Sequence, residues 1–73
     1  MMKREYLVVN VSHSSEDKIR FVSSNYRLIL FDIRRDEFDA YLKKLVSDGW
    51  ELTRVDSWND GWDETYWFKH SRE

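Results

Sequence analysis

The stretch D-E-F-D-A-Y-L-K-K-L-V-S-D-G-W, residues 36–50, decides the fold. Its apolar side chains recur at i, i+3, i+4, i+7 and i+8, the spacing that places them on one side of a helix. Asp36 is a favourable N-cap residue, and Gly49 stands where a left-handed residue commonly ends a helix. Trp50 follows at the position whose apolar side chain folds back on the last turn. The pattern predicts one amphipathic helix from Asp36 to Asp48.

On both sides of this helix the period changes from 3.6 to 2, which is typical of strands. Five strands are predicted, three before the helix and two after it: Glu5 to Val11, Ile19 to Val22, Tyr26 to Ile33, Trp50 to Trp58 and Trp62 to His70. The chain is therefore predicted to be a single α+β domain over residues 1–73. An antiparallel sheet of four or five strands would carry one helix on one face, in the order β-β-β-α-β-β. The sequence leaves the order of the strands within the sheet open.

The last two predicted strands are joined by Asn59-Asp60-Gly61. A three-residue loop that ends in Gly favours a type I turn closed by a G1 bulge. In that register the facing pairs on one side would be Trp58 with Trp62, Asp56 with Glu64, Arg54 with Tyr66 and Leu52 with Phe68. The other side would pair Val55 with Thr65 and Thr53 with Trp67.

Three motifs accompany this arrangement: E-Y-L-V-V at residues 5–9, G-W-E-L at residues 49–52 and Y-W-F-K at residues 66–69. Together they resemble a family of small bacterial domains of unknown function, in which E-Y-x-V-V precedes a helix, G-W-E-L-V and a final aromatic strand. The segment from Lys18 to Ile33 departs from that pattern, and so does Arg54. The resemblance implies the α+β fold and no assigned activity.

Composition narrows the possible functions. The chain contains no Cys, which excludes disulfides and thiolate metal sites, and its two His lie near opposite ends. No nucleophile elbow, phosphate loop, zinc-protease or EF-hand spacing occurs. No apolar run approaches the roughly 18 residues of a membrane span. We therefore expect a cytoplasmic protein that is not an enzyme and has no metal, cofactor or membrane contact.

Charge is divided unevenly along the chain: residues 1–35 carry a net +3 and residues 36–73 a net −5, for a total of −2. Such halves could attract other copies, or they could neutralise each other within one fold, which is the simpler interpretation because surface charges are well solvated. The net negative charge argues against nucleic acid as a partner.

The predicted strands are apolar on both faces, although one helix can cover only one face. A second apolar face is usually buried by something, and the simplest cover is another copy of the chain. We expect a homo-oligomer whose self-contact includes Tyr6, Val8, Val55 and Trp67. Loops or chain termini could cover the face instead.

Two further surfaces are candidates for binding. Trp58 and Trp62, at a protruding hairpin tip, suit a contact with another protein, or they could merely stabilise the hairpin. Arg20, Arg27 and Arg54 could read an anionic, nucleotide-like ligand in a pocket between subunits, or they could belong to a solvated face. The function expected from the sequence is a small interaction or regulatory module, with the anion-binding protein as the alternative.

Overall fold

A computed structural model describes residues 3–72 and the side chains of residues 5–70. The elements follow the predicted order β-β-β-α-β-β: β1 Lys3–His13, β2 Lys18–Ser24, β3 Arg27–Arg34, α1 Arg35–Ser47, β4 Glu51–Trp58 and β5 Asp63–Arg72. All five strands form one antiparallel sheet, ordered β3-β2-β1-β5-β4. The predicted α+β fold class is confirmed, and β3 and β4 are the two edge strands.

The core lies between α1 and the sheet face that we call the inner face. Among residues 5–70, seven apolar residues from β1, β2, β5 and α1 are buried there: Val9, Val11, Ile19, Val22, Phe38, Leu45 and Phe68. Partly buried apolar side chains pack around them. Because β1 is the middle strand and pairs with both β2 and β5, its alternate residues lie at the centre of this layer. The opposite side of the sheet is called the outer face below.

The helix begins at Arg35, one residue before its predicted start, and its N-cap is Arg34, two residues before the predicted Asp36. The backbone N–H of Arg34 donates to Glu37 Oε1 at 3.3 Å, and the N–H of Arg35 donates to the carbonyl of Asp17 at 2.8 Å. These two bonds give partners to backbone donors at the helix N-terminus that have none within the helix. Asp36 lies instead in the first turn, where its charge still suits the helix dipole.

The helix ends as predicted. Gly49 has a φ of +98°, and its N–H donates to the carbonyl of Val46 at 3.0 Å. The N–H of Trp50 donates to the carbonyl of Leu45, also at 3.0 Å. These two bonds make a Schellman motif, and Trp50 packs against the core.

The predicted loop geometry between β4 and β5 is wrong. Asn59 and Asp60 have φ values of 55° and Gly61 one of 87°, and the N–H of Trp62 donates to the carbonyl of Asn59 at 3.1 Å. Positive φ at both Asp60 and Gly61 corresponds to a type I′ turn. The Asp-Gly pair, which favours that turn, therefore determines the loop geometry.

This turn moves the register of the hairpin by one residue. Trp58 faces Asp63, Ser57 faces Glu64, Asp56 faces Thr65, Val55 faces Tyr66 and Arg54 faces Trp67. A register shift between Leu52 and Arg54 then restores the predicted pair of Leu52 with Phe68. Because side chains alternate along a strand, a one-residue slip exchanges the two faces. Val55 accordingly lies on the inner face, and its predicted place beside Tyr6, Val8 and Trp67 is corrected.

Candidate interaction surfaces

Three of the residues predicted for self-contact meet on the outer face. Val8 and Trp67 are direct cross-strand partners, and Tyr6 is the next outer-face residue along β1. Tyr6 is 66% exposed and Trp67 37% exposed. Tyr6 and Trp67 also line a shallow hollow of about 250 Å³ together with Thr53 and Arg54. We call Tyr6, Val8 and Trp67 the aromatic patch.

Hydrogen bonds hold Trp67 in position within this patch. Its indole Nε1–H donates to Asp56 Oδ2 at 3.1 Å, and Arg54 Nε donates to Asp56 Oδ1 at 2.9 Å. The hydroxyl of Thr53 donates to the backbone carbonyl of Trp67 at 3.1 Å. Since the polar edge of the indole has its partner, the ring offers apolar surface in a fixed orientation.

The sequence predicts strands that are apolar on both faces, but the outer face is not apolar throughout. A polar row crosses four strands at one level, with its members in direct register: Ser23, Asn10, Thr65 and Asp56. Thr65 is buried and its hydroxyl donates to Asn10 Oδ1 at 2.8 Å. The row separates the aromatic patch from a second exposed apolar pair, Phe21 and Phe31, and the exposed Leu28 faces Ser23 at the end of the row.

At the hairpin tip, Trp58 and Trp62 are both about half exposed, but they are not cross-strand partners. Trp58 belongs to the outer face opposite Asp63. Trp62 lies in the turn, and its carbonyl accepts a hydrogen bond from the N–H of His13 at 2.7 Å. The predicted like-charge pair of Asp56 with Glu64 is also absent, because the register places these residues on opposite faces.

Beside Trp62 the structure forms a cleft that sequence reasoning missed. His13 is 7% exposed, and its Nε2 lies 2.7 Å from Glu64 Oε1. These two residues line a cavity of about 290 Å³ with Ser15, Arg35 and Trp62, among others. The pairing of Val11 with Glu64 brings the carboxylate beside the end of β1. No signal in the sequence identifies this pair, because its members lie 51 residues apart.

The same carboxylate affects a tyrosine under the helix. Burial raises the pKa of Tyr66, and the nearby charge of Glu64 raises it further. Asp39 acts in the same direction, whereas Arg35 lowers the pKa. Phe38 meets the ring of Tyr66 edge-on, with 5.5 Å between the ring centroids. His13, Glu64 and Tyr66 thus form a polar network that connects the cleft to the core.

The three arginines predicted for an anion do not come together within one chain. Arg27 lies opposite Ser24, at one end of β2. Ser24 is four residues from Arg20 in the same strand, a separation of about 13 Å. Arg54 lies on β4, at the far edge of the sheet from β3, and is paired with Asp56. Within one chain, the sheet therefore offers no site at which all three could contact the same anion.

Across residues 3–72, no group of three or more His, Asp or Glu side chains is arranged to hold a metal ion. No helix in that part of the chain is long and apolar enough to cross a membrane. No family model, curated protein or solved structure matches the chain. The resemblance to small bacterial domains therefore rests on its motifs alone.

Proposed function

We propose that this chain is a small, non-enzymatic interaction module that self-associates through the aromatic patch. The observation that carries the proposal is the pair of exposed rings, Tyr6 and Trp67, held around a shallow hollow on the face that α1 does not cover. Aromatic side chains at the centre of an interface commonly supply much of its binding free energy.

The size of the chain supports the same proposal. A domain of this length buries only roughly 60% of the surface of its unfolded form, so its own core is marginal. Seven buried apolar residues form that core. A second copy over the aromatic patch would bury further apolar area and stabilise the fold by mass action. The proposal assumes a cytoplasmic setting, with which a chain that contains no Cys is compatible.

The test is the subunit number of Trp67→Asp and Tyr6→Asp, measured by native mass spectrometry and sedimentation. Both variants are expected to contain fewer subunits than the parent, because a carboxylate in a dry interface is costly to desolvate. Phe31→Asp is the matched control: it places the same charge on the same face, beyond the polar row, and should keep the parent's mass. A far-ultraviolet circular dichroism spectrum should show unchanged helix in all three. Parent-like masses for both patch variants would refute the proposed interface.

Trp58 and Trp62 are proposed as a contact for another protein, supported by their exposure at the tip of the hairpin. The alternative function, binding of a small anionic ligand, would need Arg20, Arg27 or Arg54 from different copies to converge. The same native spectra distinguish it, since a retained ligand adds a constant mass to the assembly. Chain masses without such an addition, and no stabilisation by phosphorylated metabolites, would count against it.

A further inference from the structure

The outer edge of β4 is self-complementary. We infer that the β4 edges of two copies pair antiparallel across a two-fold axis at Val55 and join two sheets of five strands into one. The inference rests on the proposed self-association and adds a second surface to it, which borders the aromatic patch at Arg54. Edge strands present unpaired backbone N–H and C=O groups, which readily pair with another strand.

Symmetry restricts the possible registers. Neighbouring pairs in an antiparallel ladder alternate between hydrogen-bonded and non-hydrogen-bonded types. A two-fold axis makes the pairs on either side of it equivalent, so it must pass through a residue that faces its own copy. The centre of the contact must therefore be a residue that faces its own copy, and not a point between two residues. In the regular part of β4, that residue is one of those from Arg54 to Trp58.

Charge selects among these registers. Centring the axis on Arg54 would oppose two guanidinium groups, and centring it on Asp56 would oppose two carboxylates, both unfavourable directly across strands. Of the five possible centres from Arg54 to Trp58, only Val55 places Arg54 of each copy opposite Asp56 of the other. This centre also brings together two Val55 side chains, each 43% exposed in the single chain, on the inner face. The axis is perpendicular to the sheet, so the inner and outer faces of the copies coincide.

The other edge is less suited to this contact. In β3 the ladder to β2 shifts between Val22 and Ser23, and Asp32 takes a φ of +54°. A residue with positive φ inside a strand bends the edge and hinders its pairing with another chain. The register shift in β4, between Leu52 and Arg54, leaves the segment from Arg54 to Trp58 regular. Near β4, positive φ values occur at Gly49 and in the turn at Asn59–Gly61, and both lie outside the strand itself. We therefore assign the contact to β4 and its occupant to a second copy of this chain.

The experiment reverses one charge at a time. Arg54→Asp opposes carboxylates across the interface, and Asp56→Arg opposes guanidinium groups, so each variant alone should contain half the subunits of the parent in native mass spectrometry. When the two variants are mixed, every facing pair becomes complementary again, and mixed assemblies of the parent's size are expected. The double variant R54D/D56R should also recover that size by itself.

Recovery in the mixture separates the proposed contact from damage within the chain, because Asp56→Arg also removes the acceptor for the Trp67 indole. Hydrogen exchange adds a direct measurement: within residues 54–58, the alternate amides that point away from β5 should become more protected as the parent's concentration rises, and not in Arg54→Asp. A parent-like mass for Arg54→Asp, or no association in the mixture, would overturn the inference. If the Trp67→Asp variant still has fewer subunits than the parent in that case, the proposed function holds and the β4 contact does not. A parent that stays monomeric would overturn both.

Discussion

At Gly49 a single methyl group should have a measurable effect on stability. The residue has a φ of +98°, and a Cβ placed on it would lie 2.5 Å from His70 Nε2. The imidazole of His70 meets the ring of Trp50 edge-on at 5.2 Å between centroids, so it can move only by disturbing that contact. An alanine at Gly49 is therefore opposed both by its backbone conformation and by its neighbour.

We predict that Gly49→Ala lowers the free energy of unfolding by about 2 kcal/mol, of which about 1 kcal/mol comes from the left-handed conformation. Gly61→Ala is the matched control, because Gly61 has a φ of +87° but no atom within 4 Å of the added Cβ. It should cost only about 1 kcal/mol. Urea denaturation of both variants measures the difference. Equal losses would show that His70 yields without cost.

Individual residues also show where sequence reasoning stops. The roles of Gly49 and Trp50 could be predicted because they depend on one helix terminus. The faces of Val55 and Glu64 could not, because they depend on a turn that moves the whole register by one residue. The pair Asp60-Gly61 favours a type I′ turn, whereas Asn59-Asp60-Gly61 taken as a three-residue loop favours a type I turn with a G1 bulge. The His13–Glu64 pair could not be predicted either, because it depends on that register and on the pairing of β1 with β5.

At the scale of elements, Tyr66 connects β5 to the helix above it and gives the packing of this layer a pH dependence. Burial, followed by the charge of Glu64, raises the pKa of Tyr66 above its ordinary value of 10.0. The folded state therefore holds the phenolic proton more tightly than the unfolded state does. The resulting stability is complete below pH 10 and is lost as the pH rises through the raised pKa.

We predict that the free energy of unfolding falls above pH 10 and falls less steeply in Tyr66→Phe, because the variant has no proton to lose at this position. Tyr26→Phe, which changes a tyrosine that is 81% exposed, should retain the parent's pH dependence. Tyr41, whose pKa burial also raises, contributes the remaining slope in Tyr66→Phe. The measurement is denaturant unfolding at a series of alkaline pH values. Identical slopes for the parent and Tyr66→Phe would contradict the assignment.

The elements themselves were largely predictable, because each depends on a local period. The helix began one residue from its predicted start, since the bond from Arg35 to the carbonyl of Asp17 is a tertiary contact that periodicity does not contain. Periodicity does not give the strand order β3-β2-β1-β5-β4 either, because the order depends on tertiary contacts between strands. The prediction of a continuously apolar outer face is wrong, because alternation along single strands does not show that Asn10 and Thr65 align into a polar row.

At the scale of the whole molecule, the proposed self-association would couple stability to assembly. If copies bind only when folded, association adds to the apparent stability by an amount that grows with the logarithm of concentration. A chain that already buries its apolar surface alone would show no such dependence. If the aromatic patch and the β4 edge are contacts between copies, stability as well as subunit number should depend on protein concentration.

We predict that the Tm of the parent rises with protein concentration, by several degrees over a hundredfold range, because about 1 kcal/mol shifts the Tm of a domain this size by roughly 4–8 °C. The variant that combines Trp67→Asp with Arg54→Asp loses both contacts, so its Tm should not depend on concentration. Phe31→Asp should keep the parent's slope, since it lies beyond the polar row. Differential scanning calorimetry at matched concentrations makes the comparison. A flat Tm for the parent would mean that the core of a single copy suffices for its stability, and that the exposed rings of Tyr6 and Trp67 contact a different partner.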